Sequence, residues 1–383
     1  MIIGIDIRNI GKQRTGDETV FFNLVKNLAI IDKENKYILL TDRDPARDSD
    51  LQEAITALHL SNNFQVIHLA ENGTNKFFWN FFKVPFYLQS NPVDILQVQY
   101  ITPFFVSKKI KIVTIVHDVS FKVFPEMIGK MDLFFLNLLL PLSLHRADKV
   151  IGVSKFTTTE IKKYYQLAEE KLAVIQNAVA DNFSLDISSE QMELVRKKYA
   201  LPEKFILYIG TLQPRKNLPA LIEAYIKIPT EKRVGLKLVL AGGRGHNVDP
   251  KIDEFIRNYS LQDEIVLPGF VAEQDKAILF KLAWAFCYPS CYEGFGIPIL
   301  EAMTLGVPTL ASGIAPHLEV AGESILFFDI DNPVDFAEKL TMIVANDIVR
   351  ADLKQKELQQ SHEFSWQKSA QNLLEIYNRM KTS

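Results

Sequence analysis

Trp284-Ala-Phe-Cys-Tyr-Pro-Ser-Cys-Tyr-Glu-Gly-Phe-Gly-Ile-Pro-Ile-Leu-Glu301 carries the reading of the fold. The run 284–288 is apolar throughout and has the length of a buried strand. Pro298 stands near the first position of a helix, where its missing N–H costs nothing. Between them, Gly294 and Gly296 let the backbone come close to a ligand. A buried strand, a glycine loop and a helix in that order form the repeating unit of a parallel α/β sheet.

The same rhythm runs outward in both directions. Upstream, strands are expected at 205–210, 236–241 and 264–267, with helices near 217–227, 250–259 and 273–282. Downstream come strands at 307–311 and 325–328. Earlier in the chain, strands at 2–7, 37–41, 64–69, 93–98, 111–116, 149–153 and 172–176 form a first series. Its opening helix, 17–31, places Val20, Phe21, Leu24, Val25 and Leu28 at helical spacing. The stretch 180–204 is polar and separates the two series. Two doubly wound units are expected, with ligands beyond the carboxyl ends of the strands. The tail 365–381 reads as an amphipathic helix with Trp366, Leu373, Leu374 and Tyr377 apolar.

Composition narrows the class. The 383 residues are 48% hydrophobic and 23% charged, with a net charge of −3. No global field recruits nucleic acid. Locally, residues 76–130 hold seven Lys against three acids. Two cysteines, Cys287 and Cys291, build no disulfide framework and read as reduced structural thiols. The amino terminus lacks a basic region followed by a long apolar core, so no signal peptide is expected. Leu133–Leu144 is the most apolar stretch and is too short to span a bilayer. A cytoplasmic protein, at most peripheral at the inner face of the membrane, is the expectation.

Several residues carry the chemistry. The N–H groups near Phe295, Gly296 and Ile297 open a helix and would face an anion such as a diphosphate. Glu293 precedes that helix and Glu301 lies about a turn inside it. One carboxylate can reach a sugar hydroxyl and the other a ribose diol. Arg215 and Lys216 follow the strand that ends at Gly210 and precede a helix. Cations there oppose the helix dipole, which favours a bound anion. His117 and Asp118 end the strand 111–116, where a His can donate to a sugar hydroxyl and Asp118 can orient it. Gly16 opens the first long helix ahead of Asp17 and Glu18. Ser154 reads as an N-cap.

These segments resemble family-4 glycosyltransferases, retaining enzymes of the GT-B fold. Glu293–Glu301 resembles their E-x7-E signature. Gly210-Thr-Leu-Gln-Pro-Arg-Lys-Asn217 resembles their strand-end phosphate loop, and Pro268-Gly-Phe270-Val271 their nucleobase pocket wall. The His117-Asp118 segment and the Val153-Ser154 pair have counterparts there as well. Where many relatives carry Arg after the glycine, this chain has Thr211. The wording around 117 and 210 is most like mannosyltransferases of polysaccharide assembly.

The resemblance implies an acceptor-side unit over 1–180, a nucleotide-sugar donor unit over 181–364 and a tail helix packing back on the first. It implies Glu293 and His117 on the transferred sugar, Glu301 on the ribose and Arg215 with Lys216 on the diphosphate. Hexose transfer, first mannose, to a glycan or lipid-linked acceptor follows, with no cofactor and no metal. Asp42-Arg-Asp44 and Asp329-Ile-Asp331 match the D-x-D metal motif of a different glycosyltransferase fold, and both sit in polar connections. Gly242-Gly-Arg-Gly245 is a tight turn and falls short of a dinucleotide fingerprint. The aromatic segment 77–87 reads by default as a packed core helix, and alternatively as a membrane-facing surface. An epimerase or hydrolase of the same fold, and a non-catalytic nucleotide-sugar-binding protein, are the alternative functions.

Overall fold

A computed structural model describes residues 1–12, 16–180, 183, 186–243 and 247–381. The chain divides into two compact units, residues 1–180 with 364–383, and residues 181–363.

The first unit holds a seven-stranded sheet of β1 (Ile2–Asp6), β2 (Lys36–Thr41), β3 (Phe64–His68), β4 (Ile95–Gln99), β5 (Lys111–Val116), β6 (Lys149–Gly152) and β7 (Leu172–Val174). Its order is β3-β2-β1-β4-β5-β6-β7, and every pairing is parallel. Strands covered on both faces read as continuous apolar runs, as Ile3, Ile5, Ile112, Val113 and Ile115 do. The sheet order reverses between β1 and β4. The helix Asp17–Ile31 leaves the loop after β1, and its inward residues Phe21, Leu24, Val25 and Leu28 are buried. The carboxyl-terminal helix Trp366–Lys381 packs on it and inserts Trp366, Leu373 and Tyr377 into this unit's core. Tyr377 donates its hydroxyl to Gln97 on β4, and Ser369 to the Gln176 carbonyl at 2.5 Å.

The second unit holds a six-stranded sheet of β8 (Lys204–Ile209), β9 (Leu236–Ala241), β10 (Ile265–Val266), β11 (Ala285–Tyr288), β12 (Thr309–Ser312) and β13 (Leu326–Phe328). The order β10-β9-β8-β11-β12-β13 is again all parallel. It reverses between β8 and β11, so the loops after those strands flank a topological switch point.

Three segments differ from the sequence reading. The polar stretch 180–204 contains the helix Ser189–Lys198, opened by a capping box of Ser188 and Gln191. It buries only Val195, which leaves no apolar period to detect. The segment 76–90 is no packed core helix. A π-helical stretch, Trp79–Lys83, interrupts it between the helices Lys76–Phe78 and Val84–Ser90. Trp79, Val84 and Leu88 point inward while Phe77, Phe78, Phe82 and Phe86 stay exposed. The helices Pro333–Ala345 and Asp347–Ser361 each start on an Asn cap, Asn332 and Asn346, that the strand rhythm gave no reason to seek.

Candidate active site

At the carboxyl edge of the second sheet the backbone itself is close-packed. Gly242, directly after β9, donates its N–H to the Gly269 carbonyl after β10, and Gly210 donates to the Ala241 carbonyl. A Cβ on Gly242 would lie 1.8 Å from the Gly210 carbonyl oxygen. No other residue fits there. Gly242 thus belongs to the site's frame, while Arg244 and Gly245 of the same turn lie outside the described residues.

The loop after β8 runs through a 3-10 turn, Pro214–Lys216, and a left-handed Asn217 into the helix Leu218–Ile226. It is tied to the loop after β11, since Cys291 N–H donates to the Arg215 carbonyl at 2.8 Å and Arg215 Nη1 to the Tyr292 carbonyl at 3.0 Å. Between these loops, Arg215, Lys216 and Glu293 of two distant motifs meet the strand side chain Tyr288. Lys216 Nζ donates to Glu293 Oε1, and to Tyr288 Oη at 2.8 Å. Tyr288 Oη donates to the same carboxylate oxygen at 3.1 Å. Arg215 Nη1 stands 3.3 Å from Glu293 Oε2. Burial would raise the Glu293 pKa, but the charges of Lys216 and Arg215 outweigh it and hold the carboxyl well below the usual range. Two cations, Lys216 and Arg215, thus face the buried Glu293 carboxylate at the switch point.

Glu293 leads through Gly294 and the buried Phe295 to Gly296, which caps the helix Ile297–Thr304 with φ of 106°. Glu301 lies on that helix, buried, with Oε1 2.5 Å from Lys276 Nζ of the helix Glu273–Leu282. Its Oε2 is buried and makes no hydrogen bond among the described residues. Burial raises the Glu301 carboxyl to about 7, with Lys276 opposing and Glu273 adding to the rise. Burial disfavours the Lys276 charge too, but Glu301 and Glu273 overcome it and raise that pKa. A carboxylate short of partners beside a held lysine is an acceptor waiting for donors.

His317 is a member the sequence reading missed. It is fully buried on the helix Ala315–Ala321, and a Cβ on Gly296 would come within 3.3 Å of its ring. Ser312 Oγ donates to the Ser290 carbonyl, and His317 Nδ1 lies 2.9 Å from the Ser312 carbonyl. A carbonyl only accepts, so Nδ1 carries the proton and Nε2 presents a lone pair with no partner among the described residues. Burial depresses its pKa to about 4, so the ring stays neutral near pH 7. Lys276 and Tyr288 were missed too; nothing local marks a surface-patterned lysine or a strand tyrosine as a partner for a remote carboxylate.

At the rim, Phe270 is 65% exposed beside Gly243, while Val271 is buried. Thr211 is exposed, and its carbonyl accepts from Tyr208, whose ring underlies Gly210. Ile297, half-buried, begins the helix.

The first unit gathers its own group at its sheet's carboxyl edge. Gly16, φ 76°, caps the helix Asp17–Ile31 and faces open space. Glu18 turns back to accept from Gly11 N–H at 2.6 Å, and Asp17 accepts from Gln99 at 3.3 Å. Thr15 lies outside the described residues. His117 follows β5, flanked by Phe21 and Tyr100. Its Nε2 is buried without a partner among the described residues, and burial lowers its pKa against the opposing charges of Asp17 and Asp118. Asp118 Oδ1 accepts from Ser120 N–H and hydroxyl, so that oxygen caps a turn. Ser154 caps the helix Lys155–Tyr165 by accepting from Thr157 N–H at 2.9 Å.

Asp42 is spent on Thr74 N–H and Lys12, and Asp329 on Asp331 N–H. Among the described residues no three His, Cys, Asp or Glu side chains gather as metal ligands. Cys287 and Cys291 are unbridged.

Comparison with known proteins bears on the family and the fold. The family described as Glycosyltransferase Family 4 matches residues 15–183, and that described as Glycosyl transferases group 1 matches residues 191–360. The O-antigen chain mannosyltransferase B of Escherichia coli is 30% identical over 265 residues, 69% of each chain. The serotype-specific mannosyltransferase WbdA of Escherichia coli is 32% identical over 256 residues, 65% of this chain. The match spans only 31% of that relative's length. A sucrose-phosphate synthase from Thermosynechococcus elongatus superposes with a TM-score of 0.74 at 18% identity, over 100% of this chain and 99% of the other. With its paired carboxylates, its strand-end cations and both family matches in sequence order, the chain belongs to the group 1, family-4 glycosyltransferases and has their GT-B fold.

Proposed function

We propose that the chain transfers a hexose, mannose first, from a nucleoside-diphosphate sugar to a glycan or lipid-linked acceptor, with retention of configuration and without a metal. The observation that carries this reading is Glu301, a buried carboxylate with one oxygen on Lys276 and the other unpartnered among the described residues, about one turn into the helix that opens on Gly296. A ribose diol supplies two donors to such a carboxylate. The Arg215 and Lys216 cations take the diphosphate and stabilise the departing nucleotide. Glu293 Oε2, with one partner at 3.3 Å, retains capacity for a sugar hydroxyl. The exposed Phe270 ring offers a face to the base, and the Gly296 region with Phe295 and Ile297 lies along the diphosphate. Gly16 and His117 are assigned to the donor phosphate and the transferred sugar on the resemblance. Departure of the diphosphate through an oxocarbenium-like state, with same-face attack by the acceptor hydroxyl, asks the protein only for orientation and charge. The similarity to mannosyltransferases supports mannose. The aromatic segment 76–88 and its lysines support peripheral contact with a membrane bearing the acceptor.

The test is a thermal-shift panel of GDP-mannose, UDP-glucose and UDP-N-acetylglucosamine with EDTA present. One donor raises the unfolding temperature selectively, and Glu301→Ala abolishes the rise. No response to any donor at millimolar concentration, roughly the upper end of useful substrate affinities, overturns the reading.

A further inference from the structure

His317 takes no part in the reading above, yet its ring is built into the second unit with care. It is fully buried on the helix Ala315–Ala321. Its Nδ1 proton is shared between the Ser312 carbonyl at 2.9 Å and Ser312 Oγ at 3.1 Å. Ser312 Oγ gives its own proton to the Ser290 carbonyl, so it can only accept from the ring. One edge of the imidazole is therefore clasped, and the clasp fixes both the tautomer and the orientation. The other edge carries Nε2, a buried acceptor with no partner among the described residues. An acceptor buried unpaired costs free energy that a leucine of similar bulk would not.

The surroundings of that edge belong to the donor site. A Cβ on Gly296 would lie 3.3 Å from Cδ2 and 3.8 Å from Nε2, so the free edge faces the backbone of the glycine loop. The ring centroid is 5.5 Å from that of Tyr288, whose hydroxyl donates to Glu293. Glu293 and Lys216 are the charges that act on His317, whereas Lys276 and Glu273 act on Glu301. His317 thus stands at the Glu293 end of the loop, the end given to the transferred sugar, and away from the ribose carboxylate. Its ring is neutral near pH 7 and offers a lone pair alone. The oxygens of a diphosphate only accept at that pH, so they have nothing to give Nε2. A hydroxyl does, and a hexose carries several.

We propose that His317 Nε2 accepts a hydrogen bond from a hydroxyl of the transferred hexose, next to the hydroxyl taken by Glu293, and thereby selects the hexose. The inference rests on the donor-site reading above and adds to it a specificity-determining residue. A sugar that lacks this hydroxyl leaves Nε2 buried and unpaired, which penalises it more than the loss of a solvent-exposed contact would.

The test uses the full chain with GDP-mannose and, in parallel, UDP-glucose. In protein labelled with 15N-histidine, the His317 ring is recognised by its Nδ1-protonated tautomer and confirmed by its loss in His317→Gln. Saturating donor moves its Nε2 resonance upfield as the lone pair takes a hydrogen bond, while GDP or UDP alone leaves it in place. This readout is taken on the unsubstituted chain and depends on no variant being active. Monodeoxy analogues of the donor that binds are then titrated against the parent and His317→Leu. In the parent, the analogue lacking the proposed hydroxyl binds about tenfold more weakly than the full donor. In His317→Leu that penalty vanishes, while the penalty for removing the hydroxyl held by Glu293 remains. A purely structural role weakens the full donor and every analogue by the same factor, and that result overturns the proposal. So does an Nε2 resonance that stays in place while the donor raises the unfolding temperature, or one that free nucleotide moves equally. The absence of any thermal shift with either donor overturns the donor-site reading itself, and this inference with it.

Discussion

Lowering the pH from 8 to 6 weakens donor binding about tenfold if Glu301 holds the ribose. The carboxyl sits near pH 7 because burial disfavours its charge and Lys276 only partly compensates. A ribose diol donates hydrogen bonds, so it selects the ionised form. The sign follows: for a carboxyl with raised pKa, the binding-competent fraction is roughly 0.9 at pH 8 and 0.09 at pH 6, and apparent affinity scales with that fraction. The loss is about 1.4 kcal/mol. Binding at pH 7 releases about half a proton per donor. The intact donor is the right ligand, because a diphosphate esterified at both ends carries no proton that titrates in this window. His317, with its pKa near 4, stays neutral throughout, and burial lowers the His117 pKa below the usual imidazole value. Isothermal titration calorimetry in two buffers of different ionisation enthalpy measures both affinity and proton release. Glu301→Gln binds weakly at every pH and releases no proton. A pH-independent affinity, or a slope that survives in Glu301→Gln, refutes the assignment.

Other substitutions have equally definite outcomes. Lys216→Met leaves Glu293 buried with Arg215 as its remaining cation, and costs about 3 kcal/mol of stability in denaturant titration. The deficit shrinks at acid pH, where Glu293 takes up a proton. Gly296→Ala forces a side chain into φ of 106° against the His317 ring and costs about 1–3 kcal/mol, with loss of the donor-induced thermal shift. Glu357 is buried, accepts from Thr309 N–H at 2.7 Å, and has its carboxyl pushed well up by burial. The folded state therefore holds a proton that the unfolded chain loses near pH 4.5, and stability falls as pH rises above that value. Glu357→Gln keeps the hydrogen bond, so its melting temperature exceeds that of the parent at pH 8 and the difference narrows toward pH 5.

The sequence by itself determined the two rounds of parallel α/β, the glycines at strand ends and the helix opening on Gly296. Each depends on local causes: an apolar run long enough for a strand, a backbone angle only glycine takes, a proline at a helix start. Glu301 and Lys216 were legible for the same reason, because their strand-loop-helix setting is contiguous. Their partners were not. Lys276 meets Glu301 only because two helices of the second unit pack side by side, and Lys216 reaches Tyr288 and Glu293 only because β11 adds next to β8, skipping β9 and β10. Sheet order also brings Gly242 against Gly210, and the turn after β12 sets the tautomer of His317. The apolar stretch 133–144 was visible, but only packing revealed which side of its helix the core had left uncovered. Turn and period are properties of neighbours in sequence, whereas the partner of a buried charge and the free side of a helix depend on which elements become neighbours in space.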